Sequence, residues 1–517
     1  MKKLLAILLC FVLFAACFAA CGKTEEEQSK EEPVSAEQST ALSEEESSAE
    51  EESTAPVLNV EQKDYEDKEF VIMGSWHNTD YGSEIMPSEY VDDTSEFITT
   101  NVNEAIAERN RLTEDYLGVK IRELYVVSDR MSGAAAQQLR ENHLAGTLGV
   151  HVVAPSIYCL GALAGEGIFA DLNTIEGFDT ESPWFDRSFK TTAEVNGKLF
   201  FIQGDCGLYG FNATPLVFFN KSLAAKYNLP DLYATVRNGE WTFDLVYEYS
   251  KLMSEDLNED GLIDYRDKTG YVGQADDSWN WFYGSGEKIV DVKNGEIVLS
   301  MYNERSANVV ETMNKLFSDR TLYCCANDYF NVSSNPVREL TSKMFKEGRS
   351  LFFSEIMSYI HEFSDMEDEF GVLPIPKYSV EQEDYHTLLN SWSGNAFAIP
   401  DVLSDEDRVF ASECLQTFCY FSTDTVKKEY IERTLKYQKT TDENSAEMLE
   451  IIFGTRGTDL GFIYNVGSHG NATTDTSLPW LLQRMMDGSI TFAAGFEARR
   501  SAAESDIETI QAMYSDS

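Results

Sequence analysis

Positive charge is what this 517-residue chain has least of. Its 41 Lys and Arg stand against 88 Asp and Glu, for a net charge of −47 at pH 7. Nucleic acid, anionic lipid surfaces and polyanionic ligands all need clustered Lys and Arg, so the balance excludes them as partners. Histidine is also scarce, at six residues, and no two lie three or four apart. No helix can therefore present a paired-histidine metal site. The strings GxSxG, HExxH and GxxxxGK[ST] are all missing. With them go the local signatures of serine hydrolases, zinc proteases and P-loop phosphate binding. Asp and Glu are so numerous that a glycosidase-type carboxylate pair is not singled out by spacing. Long apolar runs are lacking beyond residue 20. The longest later stretch free of charge, Asn142 to Gly165, carries His143, His151, Pro155 and four glycines. It reads as a helix end, a strand, a turn and a second helix, which excludes a membrane span there. No CxxC occurs among the nine cysteines, and Cys324-Cys325 is a vicinal pair that rarely forms a bridge. Spacing among Cys159, Cys206, Cys324, Cys325, Cys414 and Cys419 gives no disulfide framework, and buried free thiols are the expectation.

What is present begins at the N-terminus. Lys2 and Lys3 precede an apolar run from Leu4 to Ala20, the pattern of a secretory signal peptide (residues 1–20). Phe18-Ala19-Ala20-Cys21 resembles the lipobox of bacterial lipoproteins, in which the cysteine takes a diacylglycerol; Phe18 stands where Leu is usual. Phe14-Ala15-Ala16-Cys17 fits the same pattern but would leave three more apolar residues before polar sequence begins, so Cys21 is the expected lipidation site. Thr24 to Pro56 holds twelve Glu, one Lys and no aromatic residue. Such a segment cannot bury enough apolar area to offset its chain entropy, and residues 21–57 are expected to be a disordered acidic tether. A flexible chain of that length reaches roughly 30 Å. The combination reads as a domain anchored to the outer face of a cell membrane without spanning it. Of the net −47, −11 belongs to the tether and +3 to Lys2, Lys3 and Lys23, which leaves −39 on the body. That charge suits a neutral ligand held by hydrogen bonds and stacking.

Along the body, strand-like and helical runs alternate. Glu69–Met73, Val119–Leu124 and Val150–Val153 read as strands, with helical periodicity over Asn101–Tyr116 and Arg130–Ala145 between them. That order predicts a largely parallel sheet covered by helices, with ligand at the carboxyl ends of the strands. A second set opens at Leu216–Leu223, a strand running into a helix. It continues through helices near Thr242–Glu255 and Asn303–Phe317 to a strand at Glu369–Lys377, and the last hundred residues read as mostly helical.

Several strings then carry a resemblance. They are Glu108-Arg109-Asn110, Asn220-Lys221-Ser222-Leu223, Tyr227-Asn228-Leu229-Pro230, Glu240-Trp241-Thr242-Phe243-Asp244, Phe345-Lys346-Glu347-Gly348 and Phe370–Pro376. In this order, after a lipobox and an acidic tether, the chain resembles the carbohydrate-type extracellular solute-binding proteins of ABC importers. The resemblance implies an α/β, two-lobed periplasmic-binding-protein-like (type II) fold, each lobe a mixed sheet flanked by helices. Lobe 1 would comprise residues 58–202 and 369–424, and lobe 2 residues 203–368 and 425–517. Crossings would fall near Phe201–Asp205, Phe370–Pro374 and Phe421–Asp424. It further implies a monomer without enzymatic activity that closes around a carbohydrate and presents it to importer membrane subunits. Alternatives are a binding protein for another neutral solute such as a peptide, or a surface lipoprotein that degrades or adheres to carbohydrate.

Two sets of residues carry the expected chemistry. Asp256-Leu257-Asn258-Glu259-Asp260-Gly261-Leu262-Ile263-Asp264-Tyr265-Arg266-Asp267 places oxygen ligands at calcium-loop positions, with a backbone carbonyl at Leu262 and glycine at the sharp turn. Asp256, Asn258, Asp260, Leu262, Asp264 and Asp267 are thus candidate ligands for a structural Ca²⁺, although Asp267 replaces the usual glutamate and no exit helix is expected. For the solute, C–H faces of sugars stack on aromatic rings while hydroxyls pair with polar groups. Trp76 and Tyr81 follow the first strand, Tyr158 the third, and Trp392 precedes a late strand. Asp205 sits at the first crossing, and Trp281 follows Asp276-Asp277 together with Trp279. These give Trp76, Tyr81, Tyr158, Asp205, Trp281 and Trp392 as the expected ligand site. Trp241 and Trp184 read as structural, and Trp480 fits either role.

Overall fold

Alternating apolar strands and capped helices give the described residues two main sheets and two short strand pairs. A computed structural model describes residues 56–76, 82–88, 99–127, 134–146, 149–437, 443–468 and 476–515. The expected signal peptide, Cys21, nearly all of the tether, and Tyr81 lie outside the described residues. The described residues from Pro56 onward form one compact unit. Among the described residues, no helix is long and apolar enough to cross a membrane.

The four strands of the first sheet pair in parallel. β1 (Lys68–Trp76) pairs with β2 (Val119–Glu123), β3 (Val126–Val127) and β4 (Val152–Ala154), with Phe70 opposite Ile121 and Ile72 opposite Val152. The helix Thr100–Leu117 returns the chain from β1 to β2 and ends at Gly118 in the left-handed region (φ 60), whose N–H reaches Glu114 O. Glycine adopts that conformation without the Cβ clash other residues meet. The helix Ile157–Ala164 follows β4 after Ser156. Residues 395–400 then extend the sheet, bridging antiparallel to Val153 through Ala398 and to Ile202 through Phe397.

The second sheet is mixed. Its strands are β5 (Pro215–Asn220), β6 (Ser254–Glu255) and β7 (Lys268–Gly273). The hairpin β8 (Val290–Lys293)–β9 (Glu296–Leu299) lies outside it, turning at Asn294 and Gly295, both at positive φ. β10 (Tyr323–Cys325), β11 (Ser350–Ile356) and β12 (Phe370–Leu373) complete the order β10-β7-β11-β5-β12, with β6 beside β7. β5 runs straight into the helix Lys221–Lys226, which Asn220 caps by accepting from Leu223 N at 2.8 Å. The short pair β13 (Thr387–Leu388) and β14 (Arg456–Gly457) lies apart.

Two lobe assignments differ from the expectation. Phe370–Leu373 is not a crossing to lobe 1: β12 pairs along β5 in the second sheet, Gly371 opposite Phe219. The chain instead returns at 389–395, just before the residues that join the first sheet. The terminal segment also does not belong wholly to lobe 2. Tyr514 Oη donates to Ala193 O at 3.2 Å and the Arg456 guanidinium pairs with Asp186 at 2.6 Å, so this segment packs on both lobes. The third connection is helical. Asp405–Ser422 passes through a π-helical turn, Thr423–Lys427, into Lys428–Tyr437. Phe418 lies under the buried Arg109 guanidinium (3.8 Å), which fixes this helix on the first lobe.

Candidate functional site: the cleft at the strand ends

β7 and β11 are parallel neighbours and end together, at Gly273 and Ile356. Their carboxyl ends deliver Gln274 and Asp276 from one strand, and Glu355, Ser358 and Tyr359 from the other, to one edge of the sheet. β5 runs the opposite way, so the crossing residues Asn212 and Ala213 enter at the same edge. The second crossing adds Asn390, Trp392 and Ser393, and the helix Leu478–Met485 adds Trp480. Together they line a cavity of about 390 Å³.

Local hydrogen bonding sets the aromatic walls. Asn390 Oδ1 accepts from Trp392 N (2.9 Å) and Ser393 N (3.1 Å), a turn of the kind short Asn and Asp side chains close. Asn390 N donates to Ala213 O at 3.2 Å, so the two crossings meet at the cavity. Trp392 packs edge-on against Tyr158 (6.1 Å, 89°). Trp279 packs edge-on against Trp480 (5.7 Å, 87°) and donates its Nε1 to Pro479 O at 2.6 Å. Phe330 stands at the rim, 60% exposed.

The polar groups between these walls are acidic and amide. Asp276 accepts from Gln483 Nε2 (2.6 Å) and Asn390 Nδ2 (3.4 Å). Glu355 accepts from Gln274 Nε2 at 2.6 Å, and burial, reinforced by Asp276 and Asp277, pushes its carboxyl far above the usual range. Burial likewise lifts Asp277 to about 8, although Tyr323 Oη donates to it at 2.8 Å. Tyr158 Oη, Ser391 Oγ and Trp480 Nε1 are buried and find no hydrogen-bond partner among the described residues. Buried polar atoms are nearly always paired, so these three mark positions a ligand or water would complete.

The comparisons bear on this frame. No family model and no curated protein matches the chain. Solved structures do. A cyclo/maltodextrin-binding protein complexed with maltotetraose aligns at TM-score 0.53 and 15% identity, over 86% of this chain and 98% of its own. An ABC substrate-binding protein from Listeria monocytogenes in complex with cycloalternan aligns at 0.52 and 11%, over 86% and 99%. The maltose/maltodextrin-binding domain MalE from Bdellovibrio bacteriovorus, bound to maltotriose, aligns at 0.50 and 16%, over 85% and 100%. The chain has the type II periplasmic-binding-protein fold. Ligands of open α/β sheets bind outside the carboxyl ends of the strands, and the cavity described above lies at such ends.

The periplasmic-binding-protein cleft of this chain gathers some of the expected residues and leaves others elsewhere. Tyr158 and Trp392 meet at its wall. The backbone of Trp76 ends β1 opposite Val127, and its side chain lies outside the described residues. Trp281 is not in the cleft. It is fully buried, stacked on Phe243 (4.4 Å, 25°) and packed against Phe317 and Tyr271 beneath the second sheet. Its neighbour two positions back, Trp279, faces the cleft instead. Residues two apart on a helix point to nearly opposite sides, so only one of the pair could. Asp205 lies at the first crossing and does not line the cavity: it pairs with Lys427 Nζ (2.9 Å) and accepts from Thr423 Oγ1 (2.9 Å), tying the first crossing to the helical one. Burial raises its pKa, and Lys427 opposes that rise. Beside it, Cys206 and Cys419 form a disulfide, while Cys159, Cys324, Cys325 and Cys414 are buried and free. Glu355 and Asn390 are not among the expected residues; Asp276 enters the expectation only as a neighbour of Trp279 and Trp281, and Trp480 only as fitting either role. The one signal for the acidic pair was its position just after an apolar run.

The acidic loop closes on itself. Asp256 accepts from Glu259 N and Gly261 N (2.7 and 2.8 Å), Asn258 from Asp260 N (2.9 Å), and Asp267 from Leu257 N and Asp264 N (both 2.9 Å). Gly261 takes φ 85, as the turn requires. The Arg266 guanidinium spans Asp260 (2.7 Å) and Asp264. Among the described residues, no three acidic, His or Cys side chains group to hold a metal.

Proposed function

We propose that this protein is the lipid-anchored, extracytoplasmic solute-binding component of an ABC importer and that it captures a carbohydrate or oligosaccharide. One observation carries the reading: a cavity at the strand ends of the second sheet, where two crossings meet, is walled by Trp392, Trp279 and Trp480 and floored by amide and carboxylate groups. Flat apolar faces beside fixed acceptors match the amphipathic surface of a sugar. The sugars named for the aligned structures, cycloalternan, maltotriose and maltotetraose, support the ligand class. Capture involves no chemistry. The crossings at 203–214, 389–395 and 423–428 act as hinges, and closure on ligand presents the occupied form to the membrane subunits. Cys21 anchors a monomer through the acidic tether. Calcium at residues 256–267 is a separate proposal, structural in role and supported by the ligand spacing; binding would require Arg266 to release Asp260 and Asp264.

The test is a thermal-shift screen of the mature protein against mono- and oligosaccharides, since a ligand that binds only the folded state raises its stability by mass action. At least one sugar is expected to raise the midpoint. No shift with any sugar would reject the ligand class, and glycan cleavage lost with one carboxylate would reject the non-catalytic reading.

A further inference from the structure

One connection supplies more of the cavity lining than any other segment among the described residues. Between β10 and the helix Ser342–Lys346, the residues Phe330, Ser334, Asn335, Pro336, Val337 and Arg338 all reach the cavity. The connection is pinned at both ends. At its start Asn327 Oδ1 accepts from Ala275 N (2.9 Å), just past the end of β7, and Tyr329 packs edge-on against Tyr265 (5.0 Å, 71°). The backbone then turns back on Tyr329, whose carbonyl accepts from Val332 N and Ser333 N (2.8 and 3.0 Å). At its far end Ser333 Oγ accepts from Asn335 N (2.9 Å) and donates to Glu339 (2.5 Å). The chain then enters a π-helical turn, Val337–Thr341, a form that is rare and frequent at functional sites.

This anchored turn holds Phe330 out at the mouth of the cavity. At 60%, Phe330 is the most exposed Phe, Tyr or Trp among the described residues. The other rings at the cavity are engaged: Trp279 with Trp480, Trp392 with Tyr158, and Tyr359 with Phe353 (5.8 Å, 72°). Tyr302, the next most exposed, stacks on Phe496 (4.5 Å, 10°). No ring or cation packs on Phe330 among the described residues. An apolar ring left in water forgoes the stabilisation its burial would bring, and this one does so at the rim of a cavity already walled by aromatic rings.

We propose that Phe330 is a specificity-determining residue of this site, its ring covering the outward C–H face of a saccharide held in the cavity. This rests on the carbohydrate reading above and deepens it. A phenyl ring carries no hydrogen-bonding group, so it reads only the shape and polarity of the face laid on it. Sugar units whose ring hydroxyls are all equatorial, as in glucose and xylose, turn flat C–H faces to such a ring. An axial hydroxyl, as at C2 of mannose, raises an oxygen from one face, and against Phe330 that oxygen would lose its water and gain no partner. The rim thus favours gluco- and xylo-configured oligosaccharides over manno-configured ones.

The test is calorimetric titration of maltotetraose, cellotetraose, xylotetraose and mannotetraose into the wild type, Phe330→Ala and Phe330→Trp, with stopped-flow dissociation rates and thermal midpoints for each protein. The wild type is expected to bind the best gluco- or xylo-configured oligosaccharide at least about tenfold more tightly than mannotetraose, a difference of 1.4 kcal/mol. Phe330→Ala should weaken that best binder by about tenfold, mostly through faster dissociation, and narrow the gap to mannotetraose. Its midpoint without sugar should stay at the wild-type value, because the side chain is exposed. Phe330→Trp should keep both the affinity and the gap. Equal affinities of Phe330→Ala and wild type, a loss that leaves the gap unchanged, or tightest binding of mannotetraose by the wild type would each overturn this proposal and leave the carbohydrate reading standing. Binding of no saccharide by the wild type would overturn both.

Discussion

Trp279 and Trp281 show what a single residue's position decides. Both follow the same aspartates on one short helix, yet one lines the cleft and the other packs between Phe243 and Phe317. Trp281→Ala is expected to cost about 3–5 kcal/mol of stability through the cavity it leaves, read from the denaturant midpoint. Trp392→Ala and Trp480→Ala should leave stability closer to wild type and weaken sugar binding by tenfold or more. The sequence showed aromatic residues after strand ends, which found Tyr158 and Trp392. It could not show which face of the helix 277–284 turns inward, because Asp277–Gly284 is buried on all sides and has no polar face to orient it. Glu84 is a residue no pattern could have found. Its carboxyl accepts from Tyr209 N (3.0 Å) on the first crossing and from the Asn395 amide on the second. Burial lifts it to about 8 from an ordinary 4.5. Such a group keeps its proton in the folded chain while the unfolded chain loses it, so its contribution to stability falls as pH rises from about 4.5 to 8. Glu84→Gln is expected to flatten the decline of the thermal midpoint between pH 5 and pH 8; an unchanged slope would contradict the assignment.

At the scale of elements, the alternation of strand and helix was legible because each strand is a short apolar run bounded by a cap or a glycine. The strand at Glu369–Lys377 was legible too, but not its partner. A proline stop marks where a strand ends, and pairing is set by β5 on its flank. The Cys206–Cys419 disulfide was illegible for a related reason: its cysteines lie 213 residues apart, and only the packing of the first crossing on the helix Asp405–Ser422 brings them together. Cross-links that close long loops restrict the unfolded chain most. Cys206→Ser with Cys419→Ser is expected to cost about 2–4 kcal/mol, measured against wild type under oxidising conditions and abolished as a difference in reductant. The acidic loop gives a further test. If it holds calcium, the ion raises the thermal midpoint and EGTA reverses the rise; no response to either would leave Arg266 as its permanent counter-charge.

Over the whole molecule, the two-lobed fold was legible from element order and a handful of short strings. The lobe boundaries were not, because three connections and a C-terminal segment that touches both lobes blur any division by sequence. Those same connections converge on the cavity: Ala213 from the first, Asn390 and Trp392 from the second. Asp205 and Lys427 join the first to the third. On the proposed hinge closure, a ligand that bridges the cavity walls acts on these connections directly, and small-angle scattering should show the radius of gyration fall when sugar is added. The most direct test of the central claim is calorimetric titration of oligosaccharides into the wild-type protein and into Trp392→Ala with Trp480→Ala. Binding near ~1 μM by the wild type, lost in a doubly substituted protein that still unfolds cooperatively, is the predicted result. Equal affinity in the two proteins, or no heat with any saccharide in the wild type, would contradict it.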